Sequence, residues 1–160
     1  DVKDAQGNTT IFFAIRGGNF DAIPVLQKHN AQMPVWDKSP ENVSPLVACV
    51  TKLYSRLDLE HNMCHTYEER ILALYKSATD VIPDLIKAGN HPDQRHPDMK
   101  TPLMLAAKYA FDGIVKHLVD AGADQTLIHK GKTAADYIPQ LPPFCYVGDP
   151  KKCREYLLKP

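Results

Sequence analysis

Apolar side chains recur along this chain at the three-and-four spacing that marks one face of a helix. Ile11, the run Phe13 to Ile15, Ile23 and Leu26 make one such set, Leu46 opens a second, and Leu103, Ala106, Ile114, Val115 and Leu118 make a third. Together they predict a single continuous core. Hydroxyl residues stand where the helices should start, at Thr9, Ser44, Thr101 and Thr133, with Pro45 and Pro102 directly after two of them. Two residues before these anchors stand Gly7, Asn42 and Gly131, residue types that tolerate positive φ, while Met99 departs from that pattern. Asn30, Gly89 and Gly122 are placed to end helices in the left-handed conformation.

These signals repeat. The stretch TPLMLAAKYAFDGIVKHLVDAGAD, residues 101 to 124, resembles an ankyrin repeat: a Thr-Pro-Leu helix start, a small Ala-Ala pair, Ile-Val-x-x-Leu-Val on a second helix, then Gly-Ala-Asp. Residues 7 to 31 align with it without gaps, Thr9 standing for Thr101 and Asn30 for Gly122. SPLVACV (44 to 50) and GKTAADYI (131 to 138) begin two more units, so the anchors are spaced by 35, 57 and 32 residues. Two of these spacings are close to the ankyrin period of about 33. The resemblance implies an all-α fold, a solenoid of stacked helix-turn-helix units with short β-hairpin-like connections. One domain, 1–160, would hold repeats at about 4–36, 37–93, 94–126 and 127–160, with an insertion at 53–79.

The long spacing holds the insertion. The first helix after Ser44 is expected to run on through VTKLYSRLDL, and TYEERILALYKSA carries a capping box, Thr66 with Glu69, followed by Ile71, Leu74, Tyr75 and Ala78 on one face. DVIPDLIKAG then supplies the second helix, repeating the D-x-I-P of Asp21 to Pro24. Because proline breaks a helix interior, a kink or restart is expected near Thr79 and Asp80, with Pro83 in the new first turn. HNMCH, His61 to His65, would be the turn between the lengthened helices. A metal-binding or enzymatic role centred on His61, Cys64 and His65 is the alternative reading. It is the weaker one, because a structural zinc needs four ligands and only His91 and His96 stand near, while a nucleophilic Cys64 needs an oriented base. The insertion either offers a contact surface of its own or packs on itself.

Composition adds exclusions. With 19 basic and 19 acidic side chains the chain is neutral, which argues against nucleic acid as a partner. No apolar run is long enough to span a membrane and no secretory segment opens the chain, which starts at Asp1 as a fragment or processed product would. Four dispersed cysteines fit a reducing, intracellular setting; Cys49 replaces the first alanine of the small pair and is expected to be buried and inert. No phosphate loop, paired carboxylates or nucleophile elbow is present, so neither an enzyme nor a cofactor or metal requirement is expected. His117 reads as an exposed side chain. DPKKCREYLL begins with an Asp cap and a first-turn proline and should be the closing helix, its Lys151, Lys152, Arg154 and Glu155 forming a polar end face, with Phe144 and Tyr146 covering the last repeat.

The resemblance also implies function. Ankyrin repeats bind partner proteins through a concave surface of first helices and hairpin tips. Carried over by position, that surface here includes Arg16, Thr51 with Lys52, Lys108 with Tyr109, and at the hairpins Gln6, Asn8, Glu41, Asp98 with Lys100, and Lys130 with Lys132. Six basic and two acidic residues give it an excess of positive charge and favour an acidic protein partner. Trp36 is a further anchor candidate. A monomeric interaction module is expected, suited to targeting within a larger protein or to a bacterial effector in a host cytoplasm.

Overall fold

A computed structural model describes residues 3–36, 43–63, 68–95, 99–141 and 147–158, with the backbone alone for 61–63. Helices α1 (Thr10–Gly17) and α2 (Ile23–Lys28) are joined by a 3-10 turn at Phe20–Ala22 and make the first pair. The second pair is α3 (Pro45–Met63) with α4 (Glu68–Lys87), the third α5 (Pro102–Lys108) with α6 (Asp112–Asp120). A 3-10 turn at Ala135–Tyr137 and α7 (Pro150–Leu157) close the stack. No strand occurs among the described residues. The hairpin-like connection is seen at His129 and Lys132, which exchange backbone hydrogen bonds of 2.9 and 3.1 Å around Lys130 and Gly131.

Local chemistry explains the helix ends. The Thr9 hydroxyl accepts from the Phe12 amide and that of Thr101 from the Met104 amide, each satisfying a donor with no partner inside its helix. Asp149 does the same for α7 through the amides of Lys151 and Lys152. Thr133 works in reverse: its amide and hydroxyl both donate to Asp136. After α2, α4 and α6, Asn30, Gly89 and Gly122 adopt φ of 60°, 109° and 84°, and the following amide turns back to the carbonyl of Leu26, Leu85 or Leu118.

First helices stack on first helices and second on second: α3 lies between α1 and α5, α4 packs against both the Phe20–Ala22 turn and α6, and α6 against α7. One core runs through all of them, from Ile11 and Ile15 through Leu46, Leu53 and Ile82 to Leu103, Val115 and Cys153. Most of the core expected from the sequence is there. Phe13 is not, being 48 % exposed.

Three other expectations are corrected. Helix α4 is continuous from Glu68 to Lys87, with Pro83 inside it and no restart at Asp80. An interior proline costs about 3 kcal/mol, but Ile71, Leu74, Ala78, Val81, Ile82 and Leu85 are buried along the same helix, each large side chain worth about 1.5–3 kcal/mol, so packing outweighs the break. His61 to Met63 belong to α3 and not to a turn; Cys64, His65 and the Thr66 cap lie outside the described residues. His117 is half-buried and not exposed.

Residues 53–79, expected as an insertion, contribute to the core. Leu53 and Leu57 are fully buried, and Tyr75 reaches across to the next pair. Its hydroxyl accepts from the Gly113 amide at 2.9 Å and donates to Asp112 at 3.3 Å, capping α6 from another helix, since Phe111 has no capping side chain. A side chain at Gly113 would meet Tyr75 Oη and Thr79 Cγ2, each at 3.1 Å, so glycine is what lets α4 and α6 approach.

Candidate functional site

The basic residues named above separate into two places. Lys100, Lys108 and Lys132 stand over the rings of tyrosines from the end of α5 and the Ala135–Tyr137 turn, and Lys130 lies within electrostatic reach of Lys100. Tyr54 on α3 stacks on Tyr109, which follows α5, with ring centroids 4.1 Å apart and planes at 20°. Lys108, the last residue of α5, where a cation suits the helix dipole, sets its ammonium 5.3 Å from the centre of the Tyr109 ring. Lys100 and Lys132 share the ring of Tyr137, at 5.3 and 5.8 Å. Each such contact is worth roughly 0.5–1 kcal/mol at an exposed site, enough to hold like charges near one another.

That crowding is visible in the ionisation of the site. Partial burial, and then the charges of Lys108 and Lys130, lower the pKa of Lys100 below 10.5. Burial and the adjoining Tyr54 raise that of Tyr109. Lys130 carries a backbone cost as well. It and Gly131 have φ of 50° and 75°, the positive pair of a two-residue type I′ turn, whose first position favours Asn, Asp or Gly. A lysine there costs about 1 kcal/mol. Its ammonium is thus held near Lys100 against both local preference and repulsion.

Arg16 lies in the last turn of α1, and Trp36 in the loop after α2. The guanidinium of Arg16 lies 5.9 Å from the Phe12 ring centre. It adds slightly to the lowering of the Asp4 pKa, which comes first from the side chain of Asn8. Trp36 edges a cavity of about 330 Å³ walled by Phe12, Met33, Pro34, Val43 and Pro45. Buried Asn90 fixes that loop, accepting from the Trp36 amide at 3.0 Å and donating to the Pro34 and Leu85 carbonyls at 2.7 and 2.9 Å. Lys52 is exposed on α3, two residues before Tyr54. Thr51 is half-buried, its hydroxyl donating to the Val47 and Ala48 carbonyls. Glu41 and Asp98, the two acidic residues of the expected surface, lie outside the described residues.

Sequence reasoning missed Tyr54 and Tyr137. Tyr54 follows Thr51 by three residues on the same helix and so could have been placed beside it; Tyr137 is brought to the lysines only by the hairpin, to which its hydroxyl donates at the His129 carbonyl. No group of three or more His, Cys, Asp or Glu side chains that could hold a metal occurs among the described residues. Burial pushes the thiols of Cys49 and Cys153 up to about 12, which keeps both protonated and weakly nucleophilic at neutral pH. None of the described helices is long and apolar enough to cross a membrane.

The ankyrin-repeat family model matches residues 98–130. Among solved structures the human ASB11 ankyrin repeat domain is similar, with a TM-score of 0.53 and 21 % identity over 92 % of this chain, which spans 51 % of the length of that one. No curated protein gave a significant match. Ankyrin repeats are in general protein–protein interaction modules and are typically non-enzymatic scaffolds. Residues 98–130 thus match an ankyrin repeat, and the helix pairs stacked around them have the fold of an ankyrin repeat domain.

Proposed function

We propose that this chain binds an acidic segment of a partner protein on the surface formed by Lys100, Lys108, Lys130 and Lys132 with Tyr54, Tyr109 and Tyr137. The observation that carries the reading is geometric: Lys100 and Lys132 stand over the Tyr137 ring at 5.3 and 5.8 Å, and Lys108 over the Tyr109 ring, itself stacked on Tyr54, at 5.3 Å. Several cations gathered on one surface attract an acidic segment more strongly than an isolated surface lysine does. The stacked tyrosines add flat, preorganised apolar area, the composition of interface anchors. In this reading the surface is the concave face of four repeats, at about 4–36, 37–93, 94–126 and 127–160, and the chain works as a monomeric targeting module inside a cell, without catalysis.

A fluorescent acidic peptide, such as a glutamate- and aspartate-rich dodecamer, tests it by anisotropy. Native protein should bind, with affinity falling as salt rises, and Lys108→Glu with Lys130→Glu should weaken binding at least about tenfold. Equal binding by native and doubly reversed protein, or loss on reversing Lys151 and Lys152 of α7 instead, would sink the assignment. To ask whether the lengthened helices bind a partner, Leu59→Ser with Leu72→Ser changes their exposed side chains and leaves the buried Leu57, Ile71 and Leu74 in place.

A further inference from the structure

The two ends of the stack are finished differently. At the C-terminal end α7 exposes Lys151, Lys152 and Glu155, a charged face of the kind that terminates a solenoid. At the N-terminal end the first pair exposes Thr10 and Phe13 on α1, with Ala22 and Val25 at and after the 3-10 turn. None of these four is charged.

Register shows what this face is. The gap-free alignment of residues 7–31 with 99–123 places Phe13 at Leu105, Thr10 at Pro102, Ala22 at Ile114 and Val25 at His117. In the third pair Pro102, Leu105 and Ile114 are buried and His117 half-buried. The second pair behaves alike: Pro45, Ala48 and Val81 occupy the first three positions and are buried, and Asp84, at the fourth, is half-buried. Phe13 is 48 % exposed where Ala48 is 5 % and Leu105 8 % exposed; Val25 is 55 % exposed. Positions on the opposite side of each pair do not differ in this way, Ile11, Ile23, Leu103 and Val115 all being within 1 % of full burial. The four residues thus sit at the positions that, in the second and third pairs, pack on the pair before. In the first pair that neighbour is not among the described residues.

We infer that the N-terminal face of the first pair, centred on Phe13 and Val25, is a stacking interface that takes a further ankyrin-type helix pair, seated on α1 and α2 as they are seated on α3 and α4. The face continues an interface the molecule already uses twice, and a neighbour matching it presents the side that Ile11, Ile15 and Ile23 present to α3 and α4. A peptide strand or a membrane has no such register to meet. The inference does not rest on the lysine surface, which lies on other elements.

The test is a fusion of one consensus ankyrin repeat ahead of Lys3, its threonine anchor about 33 residues before Thr9. Coupling between neighbouring units adds to stability in such arrays, so the urea midpoint should rise and the melting temperature should increase by about 5 °C. Phe13→Lys with Val25→Lys should abolish that gain in the fusion and leave the unfused chain, checked by circular dichroism, melting where it did. A fusion that melts no higher than the unfused chain overturns the proposal. So does an unfused chain that dimerises in light scattering until Phe13 and Val25 are changed, because the face would then belong to a second copy.

Discussion

Asp21 to Pro24 and Asp80 to Pro83 share the pattern D-x-I-P and fold differently. In the first the chain makes a 3-10 turn at Phe20–Ala22 and α2 then begins with Pro24 in its first turn. In the second the same pattern sits inside α4, twelve residues after its start at Glu68. The local preference is identical and the outcome is set by what precedes it. Before Asp21 stand Gly17 and Gly18, the latter at φ of 71°, which end α1. Before Asp80 stand Ile71, Leu74 and Ala78, which are buried and carry the helix into the proline. Tertiary burial overrides a breaker when enough apolar surface lies on both sides of it.

If residues 53–79 are core, the largest effect should come from Leu57→Ala, at about 3 kcal/mol lost in urea denaturation, against less than about 0.5 for Leu59→Ala on the exposed side of the same helix. Equal, small losses would return the insertion to a free protrusion. Next, Pro83→Ala should stabilise by about 2 kcal/mol, because it restores a helix hydrogen bond, whereas Pro24→Ala should cost roughly 0.5 through unfolded-state entropy. Like behaviour of the two prolines would mean that α4 does restart. Tyr75→Phe should cost about 1 kcal/mol by leaving the Gly113 amide without its acceptor, read from the melting midpoint and from faster amide exchange at the start of α6.

A smaller contrast sets Lys130 against its turn. Lys130→Asn should stabilise the protein by about 0.5 kcal/mol while weakening the acidic peptide, since a better turn residue removes a ligand-facing charge. A variant that gains stability and binds as before would detach Lys130 from the site. The slightest effect is on pH. Hydrogen bonds from the backbone and side chain of Thr133 hold the carboxyl of Asp136 below 3.8, so its contribution to folding is complete above 3.8 and disappears as pH falls through the lower folded value. NMR of Tyr137 over that acid range should show the adjoining 3-10 turn loosening, and Asp136→Asn should remove the transition.

Much of this was legible from residues alone. Thr9, Thr101 and Asp149 cap because their side chains reach amides two or three positions along, and Asn30, Gly89 and Gly122 terminate because they tolerate positive φ, so each signal is complete within a few residues. Periodicity marked the faces that pack on a following pair. It could not mark Phe13 as exposed, since an apolar residue at a stacking position looks the same whether or not a neighbour covers it. Nor could it find Tyr54 beside Tyr109, or Tyr137 beside Lys100, because those meetings join different units. The repeat anchors, the caps and the absence of a catalytic motif were thus determined by the sequence. Continuity through Pro83, the cap that Tyr75 gives α6, the lysine–tyrosine cluster and the open N-terminal face were decided by tertiary structure, where distant residues share one buried volume and their free energies are summed together.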